Sequence, residues 1–168
     1  GASVASSLYS FVENVLPELY IMADPGQFFN YSNPNFYLAG YLAEQHGAAS
    51  YAELMSSEVF GPLGMSNTTF SNEQVLERGN WGAGTDPSGE ITPQSYDNVW
   101  AAPAGYAWTT VMDVAQLGQF LLNGDETILS AETLERLQSP LVDTYFYGSL
   151  QSYGHGLFIG TGIVNDSK

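Results

Sequence analysis

The chain has 168 residues, of which 44% are hydrophobic, so it is long enough to form one domain with a buried core. Three Lys and Arg residues against eighteen Asp and Glu residues give a formal charge of −15, which makes nucleic acid and anionic membranes poor candidate partners. The sequence has no cysteine and no apolar run near the ~20 residues of a membrane span, which excludes disulfides, thiolate catalysis and a transmembrane helix within this chain.

The first part of the chain predicts two helices separated by an extended segment. Apolar residues at helical spacing predict a helix over 4–15, with Ser3 as its cap. A turn precedes an extended piece at 27–31. A second helix is predicted to start at Asn33, whose side chain caps the first turn ahead of a proline, and to end at Gly47.

The remainder predicts shorter helices, a long loop and C-terminal strands. Ser50 and Glu53 form a capping-box pattern at the start of a third helix. From about 71 to 103 the chain is rich in Gly, Pro, Asn and Trp, which predicts a long loop with one short helix. A helix is predicted over 109–123 and another over 131–138, and one or two strands are predicted over 145–164. The sequence therefore predicts a mainly α fold with strands only at the C-terminal end.

Most familiar catalytic and metal motifs are absent from the sequence. The two histidines, His46 and His155, do not have the spacing of metal ligands, and we interpret both as surface or packing residues. There is no phosphate-binding loop and no GxSxG nucleophile elbow. Acidic residues such as Glu77 and Asp113 show no spacing that would bring two carboxylates to catalytic separation. No metal or other cofactor is expected.

Tyr31-Ser32-Asn33 is the stretch that best suits proton transfer. A tyrosine just before a helix start lies near the positive end of the helix dipole, which favours its phenolate, and such a phenol can carry protons. The Asn33 amide can bind a substrate carbonyl or N–H group. A plain helix cap also explains the triplet, and a second Tyr-x-Asn occurs at Tyr96 and Asn98.

Ordered blocks around this triplet resemble one enzyme family. They are PG-x4-YSN, the PLGM-x2-T exit after the third helix, the PAG-x4-T-x2-D helix start, and YGHGLF. Together they resemble the class C β-lactamase and penicillin-binding serine hydrolase family over roughly residues 24–160. The resemblance implies the helical lobe of the β-lactamase/penicillin-binding fold and the hydrolysis of amide or ester bonds through an acyl-enzyme.

The resemblance implies that Tyr31 and Asn33 form the family's Tyr-x-Asn motif. In the family the tyrosine acts as general base, and as general acid toward the leaving group, while the asparagine contacts the substrate amide. Pro103, Ala104 and Gly105 match a loop at the edge of the family's active site, which implies a structural role at most.

Two of the family's three motifs are not found in this chain. No serine is followed three residues later by lysine, and the only lysine is Lys168, so no residue here matches the family's nucleophile. The Lys-Thr-Gly or His-x-Gly motif is absent too, and we interpret the Gly-Thr-Gly at 160–162 as strand and turn. Tyr96 and Asn98 do not align with the second motif. We therefore expect no catalysis from this chain alone, because Tyr31 has no nucleophile to deprotonate.

The resemblance also implies a domain organisation and a setting. Residues 1–168 are expected to be a single helical domain of a larger hydrolase, with the strand region from about 145 to 168 belonging to an α/β lobe outside this chain. The expected partners are that lobe and a small-molecule or peptide substrate, which would be an amide or an ester. A periplasmic or secreted location is expected.

Two other interpretations stay open at this point. The aromatic, cation-poor loop between Trp81 and Trp108 also suits a carbohydrate-binding module without catalytic activity. A pseudo-enzyme whose complete sequence lacks Ser-x-x-Lys would show the same residues. The substrate is open among β-lactams, D-alanyl peptides and simple esters.

Overall fold

The computed structural model describes residues 7–91, 99–145 and 152–160. The backbone divides into two compact units, one formed by Gly1–Leu19 and Ser32–Gln119 and the other by Tyr20–Tyr31 and Phe120–Lys168. The fold is mainly α, with three short strands after the last helix of the described residues, as the sequence predicts. In the same residues, no helix combines the length and the apolar character that crossing a lipid bilayer requires.

The described residues form six α-helices, which in chain order are α1 (Leu8–Asn14), α2 (Asn33–Gly47), α3 (Tyr51–Met55), α4 (Asn72–Arg78), α5 (Val111–Asn123) and α6 (Ala131–Leu137). Three shorter helical turns accompany them: 3₁₀ helices at Leu16–Glu18 and Val99–Ala104, and a π-helical turn at Ser56–Phe60 that continues α3. Helices α1 to α4 belong to the first unit, and α6 belongs to the second.

Two of the predicted caps are corrected by the structure. Helix α1 begins at Leu8 and its cap is Ser7, whose hydroxyl accepts a hydrogen bond from Ser10 N at 3.1 Å, while Ser3 lies outside the described residues. The cap of α2 is Ser32 instead of Asn33, because Ser32 has extended backbone angles and Asn33 is already helical. The predicted cap from the Asn33 side chain is therefore wrong.

Other local predictions are confirmed. At the start of α3, Ser50 Oγ accepts from Glu53 N at 3.3 Å and Ser50 N donates to Glu53 Oε2 at 2.9 Å, which is the predicted capping box. Ser130 caps α6 in the same way, with its hydroxyl accepting from Thr133 N at 3.3 Å. The structure differs from the prediction at the 3₁₀ helix Val99–Ala104, which begins inside the stretch of about 71–103 that was predicted to be loop.

An aromatic core holds the first unit together. Leu8, Phe11, Tyr37 and Ala101 are buried in it. The ring of Trp100 stacks on Phe11 with centroids 5.1 Å apart and planes 1° apart, and Tyr37 meets both rings edge-on at 5.0 and 5.1 Å. Because Trp100 and Ala101 come from the unpredicted 3₁₀ helix, contacts with α1 and α2 explain why this helix forms.

A three-stranded antiparallel sheet lies in the second unit. Its strands, in the spatial order of the chain, are β1 (Val142–Asp143), β2 (Ser152–Tyr153) and β3 (Phe158–Ile159). Val142 and Phe158 both pair with Tyr153, one on each side of β2. The prediction of one or two strands from 145 onward missed β1, which precedes that boundary. Of the Gly-Thr-Gly at 160–162, the last two residues lie outside the described residues.

Candidate active site

Tyr31 lies in an aromatic cluster of the second unit. It ends the extended segment before α2, and 55% of its surface is exposed. Its ring is parallel to that of Phe158 on β3, with centroids 6.4 Å apart and planes 3° apart. Phe29 and Tyr153 complete the cluster, since both contact Phe158, at 6.0 and 4.9 Å. The short β2–β3 pair therefore supports the candidate proton carrier.

Tyr153 is a second phenol near Tyr31. Burial raises the pKa of Tyr153, and the proximity of Tyr31 raises it further. Sequence analysis missed Tyr153 and Phe158, because only the folded sheet brings them to Tyr31.

Asn33 is exposed at the start of α2, in the first unit. Tyr37 follows one turn further along the same helix. Burial raises the pKa of Tyr37, and the neighbouring side chain of Asn33 opposes this rise. Ser32 alone separates Tyr31 from Asn33 in the chain.

The two histidines show no metal-binding arrangement. Both are exposed, and Nδ1 of His155 lies 3.0 Å from the carbonyl oxygen of Arg136. Among residues 7–91, 99–145 and 152–160, no group of three His, Asp or Glu side chains could hold a metal ion. The second Tyr-x-Asn, at Tyr96 and Asn98, lies outside the described residues.

Asp113 has a structural set of partners. It is 4% exposed and accepts hydrogen bonds from Asn67 N at 2.8 Å, Thr68 Oγ1 at 2.7 Å and Thr110 Oγ1 at 3.2 Å. Burial by itself raises the pKa of this carboxyl, but these bonds outweigh the burial and the pKa lies below its ordinary value. The charged carboxylate joins the segment after α3 to the start of α5.

Trp81 and Trp108, which bound the predicted aromatic loop, contact each other. Trp81 and Trp108 meet edge-on with centroids 6.2 Å apart, and Trp108 Nε1 donates to Asn72 Oδ1 at 2.7 Å. Pro103 and Ala104 end the 3₁₀ helix, and Gly105 follows it. Tyr106 comes next, with a φ of 67°, a left-handed conformation that non-glycine residues rarely adopt.

A cavity in the first unit was not predicted from the sequence. Its volume is about 480 Å³, and it is lined by residues of α3, α4 and the segment that joins them, together with Glu44, Ser50, Ala102 and Tyr106. Neither Tyr31 nor Asn33 lines it. Most of the lining comes from residues 44–78, and Ala102 and Tyr106 join it from further along the chain. No motif in the sequence marks this cavity.

Comparison with known proteins identifies related sequences. A family model described as Beta-lactamase matches residues 13–165. The chain is 32% identical over 131 residues to putative beta-lactamase-like 1 of Homo sapiens, covering 77% of this chain and 26% of that protein. It is 26% identical over 127 residues to beta-lactamase-like protein 2 of Dictyostelium discoideum, covering 75% and 23%. The chain thus spans about a quarter of the length of these curated relatives.

Two solved structures share the fold at low sequence identity. The penicillin-binding protein homologue from Pyrococcus abyssi is 24% identical with a TM-score of 0.74, covering 90% of this chain and 35% of that chain. D-amino acid amidase from Ochrobactrum anthropi, complexed with L-phenylalanine, is 22% identical with a TM-score of 0.75, covering 95% and 46%. These similarities concern the fold.

Proposed function

Because this chain belongs to the beta-lactamase family, we propose that it is the helical part of a serine hydrolase that cleaves amide or ester bonds through an acyl-enzyme. Tyr31 is the proton carrier of this reaction and Asn33 contacts the substrate amide. The remainder of the catalytic machinery is supplied by polypeptide outside these 168 residues.

The accessible phenol of Tyr31 is the observation that carries the proposal. More than half of its surface is exposed, at 55%, while its ring lies flat against Phe158. Exposure allows the hydroxyl to reach a bound substrate, and the ring contact restricts the directions in which it points. Both properties are required of a general base that later acts as a general acid.

The proposed reaction uses catalytic groups from two parts of the polypeptide. A serine outside this chain loses its hydroxyl proton to the Tyr31 phenolate, and its oxygen attacks the substrate carbonyl carbon. Tyr31 then gives the proton to the departing amine or alkoxide, which leaves an acyl-enzyme for water to hydrolyse. This chain has no serine followed three residues later by lysine, so the Ser-x-x-Lys nucleophile comes from elsewhere.

The proposed substrates are small amides or esters. A structural neighbour is a D-amino acid amidase whose complexes include L-phenylalanine amide, which supports an amide of modest size as one candidate. β-Lactams, D-alanyl peptides and simple esters are the other candidates. We place the complete protein in the periplasm or outside the cell as part of the same proposal.

The experiment compares p-nitrophenyl acetate and a chromogenic β-lactam as substrates. We expect no turnover above the buffer rate from residues 1–168. In the complete protein, Tyr31→Phe should lower kcat by about 10²–10⁴-fold because the proton carrier is lost. Tyr20→Phe is the matched control, since Tyr20 is 82% exposed in the same unit and is expected to leave kcat unchanged. Turnover that survives Tyr31→Phe would place the site elsewhere.

A further inference from the structure

The cavity of the first unit has the size of a small-molecule site. Its volume of about 480 Å³ falls within the roughly 300–1,000 Å³ that such sites occupy. Neither residue of the proposed proton-transfer site lines it.

One wall of the cavity is aromatic. Phe70 contacts Tyr51 with ring centroids 5.6 Å apart and Phe60 with centroids 5.9 Å apart, and all three residues line the cavity. Phe60 is 7% exposed, so this wall is anchored in the packed interior. Ring faces held in this way suit an aromatic or similarly apolar ligand body.

Arg78 supplies a positive charge to the same cavity. It lies in the last turn of α4 and is one of three basic residues in a chain with eighteen acidic ones. Within the described part of the chain, its guanidinium has no carboxylate within the 4.0 Å of an ion pair. A guanidinium presents paired N–H donors whose geometry matches a carboxylate.

The two glutamates that line the cavity are already engaged. Glu44 Oε1 accepts from Tyr51 N at 2.8 Å. Glu53 Oε2 accepts from both the N and the Oγ of Ser50, at 2.9 and 2.7 Å. These bonds fix the glutamates to the local backbone, whereas Arg78 is available to a ligand.

Tyr106 adds an independent indication of function. It lines the cavity in a left-handed conformation with φ of 67°, which costs a non-glycine residue of order 1–3 kcal/mol. Such conformations are concentrated at ligand sites, where the surroundings hold the strained residue in place. The conformation therefore points to the same cavity as the aromatic wall and the unpaired arginine do.

We propose that this cavity binds small carboxylates with an aromatic body, the carboxylate on Arg78 and the body against the wall formed by Tyr51, Phe60 and Phe70. Asn72 lines the cavity and accepts a hydrogen bond from Trp108 Nε1, so we expect a bound ligand to change the tryptophan fluorescence.

The test uses 3-phenylpropionate as the probe, with calorimetry to measure Kd and tryptophan fluorescence as a second readout. Arg78→Gln should raise Kd by about tenfold or more, because the charge-assisted bonds are lost. Arg136→Gln is the matched control and should change Kd by less than about twofold, since Arg136 also lies in the last turn of a seven-residue helix but outside the cavity. The neutral 3-phenylpropanamide should bind about tenfold more weakly than the carboxylate.

Several results would overturn the proposal. One is equal affinity for the carboxylate and the amide, and another is tighter binding of 3-phenylpropylamine, which would reverse the charge of the site. Equal effects of Arg78→Gln and Arg136→Gln would show nonspecific attraction to positive charge. An absence of saturable heat up to about 10 mM probe, a concentration at which even millimolar binding is measurable, would also refute it.

Discussion

Asp113 shows how one side chain links segments that are distant in sequence. Its carboxylate collects donors from residues 67 and 68, after α3, and from Thr110 at the start of α5. A buried carboxylate is stable only when its charge is matched by such donors. Removing it leaves three donors without their acceptor.

We expect Asp113→Ala to lower the free energy of unfolding by about 2–4 kcal/mol, because buried charge-assisted hydrogen bonds are lost. Urea unfolding followed by tryptophan fluorescence measures the change. Glu77→Ala, which removes an exposed acid from α4, should change the free energy by less than about 0.5 kcal/mol. Similar losses for both variants would show that the Asp113 bonds contribute little.

The same experiment has a defined pH dependence. The pKa of Asp113 in the folded chain lies below its ordinary 3.8, so the unfolded chain takes up the proton first as the pH falls. The stability that Asp113 contributes is therefore complete above its ordinary pKa and is lost as the pH falls through the lower folded pKa. The difference between the protein and Asp113→Ala should shrink below about pH 4. A constant difference down to about pH 2 would contradict this assignment.

At the scale of elements, helix α2 and the 3₁₀ helix Val99–Ala104 approach each other through a glycine. A Cβ added at Gly40 would overlap the ring of Pro103, which lies in that 3₁₀ helix. The glycine weakens α2 by roughly 1 kcal/mol relative to alanine, so close packing is the reason for its presence.

Gly40→Ala is therefore expected to destabilise the chain by about 1–3 kcal/mol, because the strain of overpacking exceeds the gain in helix propensity. The matched control is Gly118→Ala in α5, where nothing lies within 4 Å of the added Cβ. That variant should be neutral or up to about 1 kcal/mol more stable. Thermal or urea unfolding compares the two, and stabilisation by both would show that α2 can move away from Pro103.

At the scale of the whole molecule, charge repulsion opposes folding. The formal charge is −15, and the described residues contain no ion pair within 4.0 Å that could offset it. Added salt then screens repulsion without weakening any such attraction.

We expect the Tm at pH 7 to rise by a few degrees when NaCl increases from about 10 to 300 mM, where the Debye length falls below roughly 10 Å. Differential scanning calorimetry measures the shift. Near pH 4, where most carboxylates titrate and the net charge approaches zero, the same salt change should have little effect. A Tm that falls with salt at pH 7 would indicate attractive pairs instead.

The local features of this chain were determined by the sequence itself. The Ser50–Glu53 capping box and the Ser130 cap follow from residues within one turn of each other, and the predicted bounds of α6 differ from the observed ones by one residue. The mainly α character and the resemblance to the β-lactamase family could likewise be recognised from the sequence, because both depend on short-range patterns. The assignment of Tyr31 and Asn33 to proton transfer and substrate contact stays a prediction, as does the single-domain organisation.

Other features were decided only by the tertiary structure, because they depend on contacts between distant segments. The 3₁₀ helix at Val99–Ala104 forms because Trp100 and Ala101 pack with Phe11 and Tyr37 in the core. No pattern within residues 71–103 predicts those contacts. The stack of Tyr31 on Phe158 arises in the same way, as does the position of Ala102 and Tyr106 at a cavity otherwise lined by residues 44–78. Burial and long-range packing outweigh local propensity at such places, and a single sequence does not state which distant residues will meet.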